Sequence, residues 1–234
     1  MREFPDLELR GVARRFGRRW VLRGADLHVA AGTVVALTGR NGSGKTTILR
    51  ICATLLRPTR GTARILGHDL ARETDRIREF VGVLAHEAGL YDNLTAEENL
   101  LFSLRMAGLP PDRHAVERTL GIVGLTADRT ERVRGFSAGM RRRLALARLM
   151  LRPPRLLLLD EPYASFDTEG IELVNAFSRQ ITGSGGIAMI ATHDLARAET
   201  VMDRRIRVEE GRLLEDAEVR EDGLIGIGQG GAGP

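Results

Sequence analysis

Apolar positions recur along the chain with two periods, and each predicts its own elements. At residues 7–12 they alternate with polar ones, the period of a half-buried strand, and residues 21–29 repeat the pattern. Residues 13–20 break the alternation with arginines and two aromatics and read as a basic loop. Unbroken apolar runs at 33–38, 80–85 and 186–192, and the four leucines 156–159, predict strands, the last buried on both faces as in a parallel sheet. Residues 61–67 read as a short antiparallel strand between glycine turns, and residues 205–209 as a final strand. A helical period takes over at 46–53 and at 168–179. Between 95 and 150 no strand pattern occurs at all. Thr95 followed by Glu98 forms a capping box ahead of Leu100, Leu101 and Leu104, and residues 108–111 (Gly-Leu-Pro-Pro) break that helix. Val116, Leu120 and Val123 stripe the next helix, over 113–123. Ser137 is a good N-cap for a third, backed by Leu144, Leu146, Leu149 and Met150. The pattern therefore predicts an α/β fold: a core from residues 1–94 and 151–215 with a mixed or parallel central sheet and an N-terminal antiparallel β-subdomain, an inserted α-helical subdomain at 95–150, and a Gly-rich tail at 216–234 expected to be disordered.

Candidate chemistry lies where strands end. Residues 39–47, Gly39-Arg40-Asn41-Gly42-Ser43-Gly44-Lys45-Thr46-Thr47, fit G-x-x-x-x-G-K-[ST], a phosphate-binding loop set between a predicted strand and a predicted helix. The glycines free the backbone to turn its N–H groups inward as an anion nest, Lys45 reaches terminal phosphates, and the Thr46 hydroxyl suits Mg²⁺. Lys45 is the only lysine in the chain. A compact ammonium thus stands at the one place where it suits the chemistry better than a planar guanidinium.

The leucine strand delivers Asp160 and Glu161 at its carboxyl end, suited to holding the Mg²⁺ shell and to polarising an attacking water. His193 tips the strand at 186–192, beside the same site, placed to sense a terminal phosphate. A π-face at Phe16, preferred over Trp20, suits an adenine ring, with simple packing as the alternative.

Composition narrows the class. At 234 residues, 43% hydrophobic and 28% charged, the chain is an ordinary globular one. Its net charge of +4 comes from arginine, and with aromatics at 4% it has no stacking platform for nucleic acid. The single cysteine, Cys52, excludes an internal disulfide framework, fits a reducing compartment and reads as a small core residue. No apolar run approaches the length that spans a bilayer and no signal peptide is expected, so a membrane role has to be borrowed from a partner.

With these residues in place, the chain resembles the ATPase subunits of ABC transporters over residues 5–215. Lys45 and Thr46 match the phosphate loop, Asp160 and Glu161 the acidic strand, residues 164–167 the D-loop and His193 the switch histidine. Residues 136–140, Phe-Ser-Ala-Gly-Met, match the signature usually written L-S-G-G-Q. The resemblance implies a P-loop NTPase fold of the ABC type and hydrolysis of ATP with Mg²⁺. It also implies a head-to-tail dimer, homodimeric or pseudo-symmetric, in which Ser137, Ala138 and Gly139 of one subunit close on the nucleotide of the other. The partner is an integral-membrane permease, which places the protein at the cytoplasmic face of the cell membrane; nucleic acid is not expected. Three departures stand out: Ala138 replaces a signature glycine, Met140 a glutamine, and His86 the Q-loop glutamine. His86 is read as a water- or Mg²⁺-facing group that works as the neutral tautomer. Residues 86–94 and the first helix of the insert are the expected docking groove for the permease, with Tyr91 and Leu94 as exposed apolar candidates and packing within the insert as the alternative. The wording around the motifs, at 91–99, 137–139 and 160–167, is most similar to the haem-exporter ATPases of cytochrome c maturation. Export of drugs or polymers is the alternative, and a soluble ABC ATPase acting on nucleic acid or ribosomes is a more distant one.

Overall fold

A computed structural model describes residues 6–85 and 89–215. His86 and the glycine-rich tail at 216–234 fall outside the described residues. In chain order the elements are β1 (Leu7–Phe16), β2 (Arg19–Val29), β3 (Val34–Thr38), α1 (Lys45–Cys52), β4 (Arg60–Ile65), β5 (His68–Asp69), α2 (Thr74–Phe80), β6 (Val81–Leu84), α3 (Ala96–Met106), α4 (Arg113–Ile122), α5 (Ala138–Leu151), β7 (Leu156–Asp160), α6 (Thr168–Gly183), β8 (Ile187–Ala191), α7 (Leu195–Ala198), β9 (Arg204–Glu209) and β10 (Arg212–Glu215).

Two sheets organise them. The antiparallel one runs β2-β1-β4-β5, and the mixed one runs β10-β9-β3-β8-β7-β6, parallel except for β10. Strands β3 and β8 and the four leucines of β7 are wholly buried, because both faces of this sheet are covered. One face packs against α1 and the antiparallel sheet, through Ile48, Ile51, Leu7 and Leu22. The other packs against α5, α6 and Tyr163, through Leu146, Val174 and Phe177. Helices α3, α4 and α5 share a third cluster around Leu100, Val116, Leu120 and Leu144. With Leu157 and Leu158 fully buried, truncating either to alanine should cost about 2–5 kcal/mol.

Where the structure departs from the pattern, the reasons are local. Residues 13–20 are not a loop: β1 and β2 continue through them to a tight hairpin, with Phe16 opposite Arg19. Bulges between Leu9 and Val12, Val12 and Ala13, and Arg14 and Arg15 scramble the alternation that would have marked the strand. One bulge is pinned by the Gly11 N–H donating to Asp26 Oδ1 at 2.7 Å. Helix α2 buries only Ile77 and so carries no apolar stripe to read. Strand β10 pairs with β9 alone and is largely exposed, with little alternation in Arg-Leu-Leu-Glu.

The order of the mixed sheet gathers three strand ends at one edge. Strands β3, β8 and β7 are consecutive neighbours and run parallel, so their carboxyl ends open side by side.

Candidate functional site

At the end of β3 the chain turns through residues 39–44 into α1. Gly39 (φ 139) and Gly44 (φ 120) take backbone conformations closed to other residues. A Cβ on Gly39 would fall 2.3 Å from the Val208 carbonyl oxygen, and one on Gly44 2.8 Å from Leu22 Cδ2, so the sequence has no alternative to glycine there. Gly44 is also the N-cap of α1; no side chain caps that end, and no acid sits in the first turn. The uncapped N–H groups and the helix dipole make this end a site for an anion.

Three side chains of the loop fit such a ligand. Lys45 is buried, and its ammonium donates only to loop carbonyls, Gly39 O at 2.7 Å and Arg40 O at 3.4 Å. Among the described residues no carboxylate pairs with it. Ser43 Oγ is buried without a hydrogen-bond partner. Thr46 Oγ1 donates to Asp160 Oδ1 at 3.0 Å, joining the loop to the end of β7. A hydroxyl and a carboxylate brought together in this way are the hard oxygen donors that Mg²⁺ takes.

Glu161, next along, has a left-handed backbone (φ 47), rare outside glycine. Its N–H donates to Ala191 O at 2.8 Å, tying the end of β7 to β8. Its carboxylate lies 2.8 Å from His193 Nδ1, with the His193 N–H at 3.4 Å. All five predicted core groups, Lys45, Thr46, Asp160, Glu161 and His193, therefore meet at the mouth of three adjacent strands. The cleft over the loop, about 410 Å³, is lined by Arg19, Val21, Asn41, Gly42, Gly44, Lys45, Thr46, Thr47 and Glu161.

Other predicted residues lie elsewhere. Phe16 sits at the hairpin tip, about half exposed, with the Arg14 guanidinium 4.7 Å from its ring centre; it does not line the cleft. Ser137 caps α5, its Oγ accepting from Met140 N–H at 3.2 Å, and Ala138 and Gly139 form the first turn. These three also lie outside this chain's own cleft, and Gly139 faces the Ser165 carbonyl. Asp167 caps α6 through the Gly170 N–H, which with Arg143 holds its carboxyl below the usual aspartate range. His86 lies outside the described residues.

Residues 89–95 are strapped to the helices behind them. Tyr91 exchanges backbone hydrogen bonds with the buried Asn99 amide (2.8 and 3.0 Å), Arg141 pairs with Asp92 at 2.5 Å, and Arg148 Nη1 donates to Gly89 O at 2.6 Å. The Tyr91 ring meets Phe102 edge-on at 4.8 Å and stays half exposed.

Three residues of the site were not anticipated. Arg19 and Val21 enter the cleft from β2, and a Cβ on Gly42 would lie 3.9 Å from Arg19 Nη2. Arg142, on α5, reaches the backbone of Asp160 and Glu161. The only signal for either arginine was its place within a run of arginines.

The chain is similar to known proteins over most of its length. The profile of the ABC transporter family matches residues 22–164. The cytochrome c biogenesis ATP-binding export protein CcmA of Xanthomonas campestris is 42% identical over 208 residues, 88% of this chain and 94% of that protein. The daunorubicin resistance ATP-binding protein DrrA3 of Streptomyces coeruleorubidus is 37% identical over 213 residues, 90% of this chain; the chain spans 67% of that longer protein. Among solved structures, a dimeric ATP-binding cassette in a post-hydrolysis state, bound to ADP and Pi, superposes with a TM-score of 0.82 at 23% identity, over 92% of this chain and 99% of the other.

Proposed function

The chain belongs to the ABC transporter family and is an ATPase, and we propose that it drives export of haem for cytochrome c maturation through a separate membrane permease. The chemistry rests on one observation above the others: Lys45, the Thr46–Asp160 pair and the Glu161–His193 pair converge at the ends of β3, β7 and β8. In this reading the loop N–H groups, Ser43 and Lys45 bind the β- and γ-phosphates. Thr46 and Asp160 would hold Mg²⁺, which would supply neutralising charge at the transferring phosphoryl group. Glu161 orients and polarises the attacking water, and His193 holds the Glu161 carboxylate and faces the γ-phosphate.

A dimer is part of this reading, as the family resemblance implies. Ser137, Ala138 and Gly139 stand apart from this chain's own phosphate loop, which fits closure of the site by a second subunit's α5. Residues 95–150 then act as the inserted subdomain, and the strapped segment at 89–95 with its half-exposed Tyr91 offers a contact for the permease. Among the described residues no helix is long and apolar enough to cross a membrane, in keeping with a peripheral subunit at the cytoplasmic face.

Haem as cargo is supported by the 42% identity that extends over 94% of CcmA. Likeness to the daunorubicin resistance protein favours a second reading, a drug exporter. Deleting the gene separates the two. Loss of covalently assembled c-type cytochromes with unchanged drug susceptibility supports haem export. Normal cytochrome c levels with new drug sensitivity would replace it.

A further inference from the structure

Arg142 is the member of the run Arg141, Arg142, Arg143 that turns inward. Arg141 pairs with Asp92, and Arg143 with Asp167 and Glu169, but Arg142 is only 6% exposed and pairs with no carboxylate among the described residues. Its Nη2 donates to two main-chain carbonyls, Asp160 O at 2.9 Å and Glu161 O, while Nη1 lies 3.4 Å from Ala85 O. Nε is buried without a partner. Burial lowers the affinity of this guanidinium for its proton, and the nearby charges of Asp160 and Glu161 oppose that. A buried cation with an orphaned donor is an expensive way to satisfy two carbonyls that a water or a neutral amide would serve.

What it secures is an uncommon backbone. Glu161 has its φ at 47°, where a residue with a Cβ persists only if its surroundings over-determine it. On one side the Glu161 N–H is fixed to Ala191 O, and on the other the Glu161 carbonyl is fixed to Arg142. With both peptide units held, the carboxylate is aimed at His193 and the mouth of the cleft.

We propose that Arg142 is a positioning residue for Glu161, setting the direction of its carboxylate and making that direction depend on the placement of α5. Helix α5 begins at the signature residues Ser137–Gly139, so a shift of the helical part reaches Glu161 through one side chain. The inference rests on the ATPase reading and adds a residue that does not itself touch nucleotide.

A double-mutant cycle on the full chain with MgATP tests it. Arg142→Gln should lower kcat by about 10–100-fold while KM and the Kd for ATP stay within about three-fold, as expected when a catalytic group is misplaced and binding is untouched. Arg142→Lys keeps the charge but is shorter and lacks the second nitrogen that reaches Ala85 O, and should fall in between. In a Glu161→Gln background, either Arg142 substitution should slow the residual single-turnover rate by less than about two-fold, because the carboxylate it positions is already gone. Multiplicative losses in that background, an unchanged kcat, or a KM rising in step with the loss would overturn the proposal. Arg142→Lys carries the same cycle if the glutamine variant does not fold. Hydrolysis by the unmodified chain and its loss in Glu161→Gln test the ATPase reading separately, so failure there is distinguishable from failure of the cycle.

Discussion

Glu161 Oε2 and His193 Nδ1 lie 2.8 Å apart although the residues are 32 positions apart in the chain. An ionised carboxylate only accepts, so in that pair Nδ1 carries the proton. The histidine thereby fixes the carboxylate, and the carboxylate fixes the tautomer. The two act as one unit at the ends of β7 and β8.

Glu161→Gln isolates the carboxylate charge, because the amide oxygen can still accept from His193 and the fold should be unchanged. Turnover should fall by roughly 10²–10⁴, about 3–5 kcal/mol of barrier, with ATP affinity retained. The variant should collect as an ATP-bound dimer, visible by size-exclusion chromatography with light scattering. Turnover at the unmodified rate would remove Glu161 from the chemistry.

The Thr46–Asp160 pair makes a different claim. Asp160→Asn keeps an acceptor for the Thr46 hydroxyl but removes the charge that suits a divalent cation. The Mg²⁺ concentration needed for half-maximal nucleotide binding should rise by about ten-fold or more, with the melting temperature little changed. Mg²⁺ titration of nucleotide binding, with Mn²⁺ resonance as an independent readout, checks this. An unchanged requirement would place the cation elsewhere.

Much of this site was legible because its residues are contiguous in sequence and stand next to strands with strong apolar patterns. Residues 39–47 and the strand ending in Asp160 and Glu161 announce both chemistry and location. The fold's main strands and the capping box at Thr95 were legible for the same reason. Arg142 was not, because the chain uses arginine almost everywhere for positive charge. Arg141, Arg142 and Arg143 look alike in sequence, yet one pairs at a loop, one is buried on carbonyls and one ties α5 to α6. The hairpin tip at 13–20 was hidden by bulges, which destroy the very alternation that identifies a strand.

Asp167 links the loop after β7 to α5 and α6. The Gly170 N–H, and then Arg143, hold its carboxyl below the usual range, so the ionised form belongs to the folded state. That contribution is present above the ordinary aspartate value of 3.8 and is lost as pH falls below it. Asp167→Asn keeps a capping oxygen and should be mild, whereas Asp167→Ala loses the cap and should lower the urea midpoint clearly. The gap between wild type and alanine variant should hold from pH 8 to about 5 and close only below the aspartate range. A gap independent of pH down to about 3 would assign the effect to packing instead.

Cys52 reports on the same site from behind. It is fully buried on α1, the helix that begins with Lys45, and burial pushes its thiol from 9.0 up to about 12. The folded state therefore holds the proton that the unfolded chain gives up above its ordinary value. Unfolding then releases a proton between those two values, so stability falls as pH rises through that window. Cys52→Ala should lose some stability at neutral pH to the missing sulfur but show a shallower decline above about pH 9, measured by urea unfolding. The native thiol should also resist alkylation at about pH 8, where neither access nor thiolate is available, and react only when α1 opens. If the loop on α1 is the nucleotide site, ATP at about 100 times its Kd should slow that labelling by roughly a hundred-fold, the stabilisation of about 2.7 kcal/mol that ligation confers on the closed state. Labelling that ignores ATP would separate the opening of α1 from nucleotide binding.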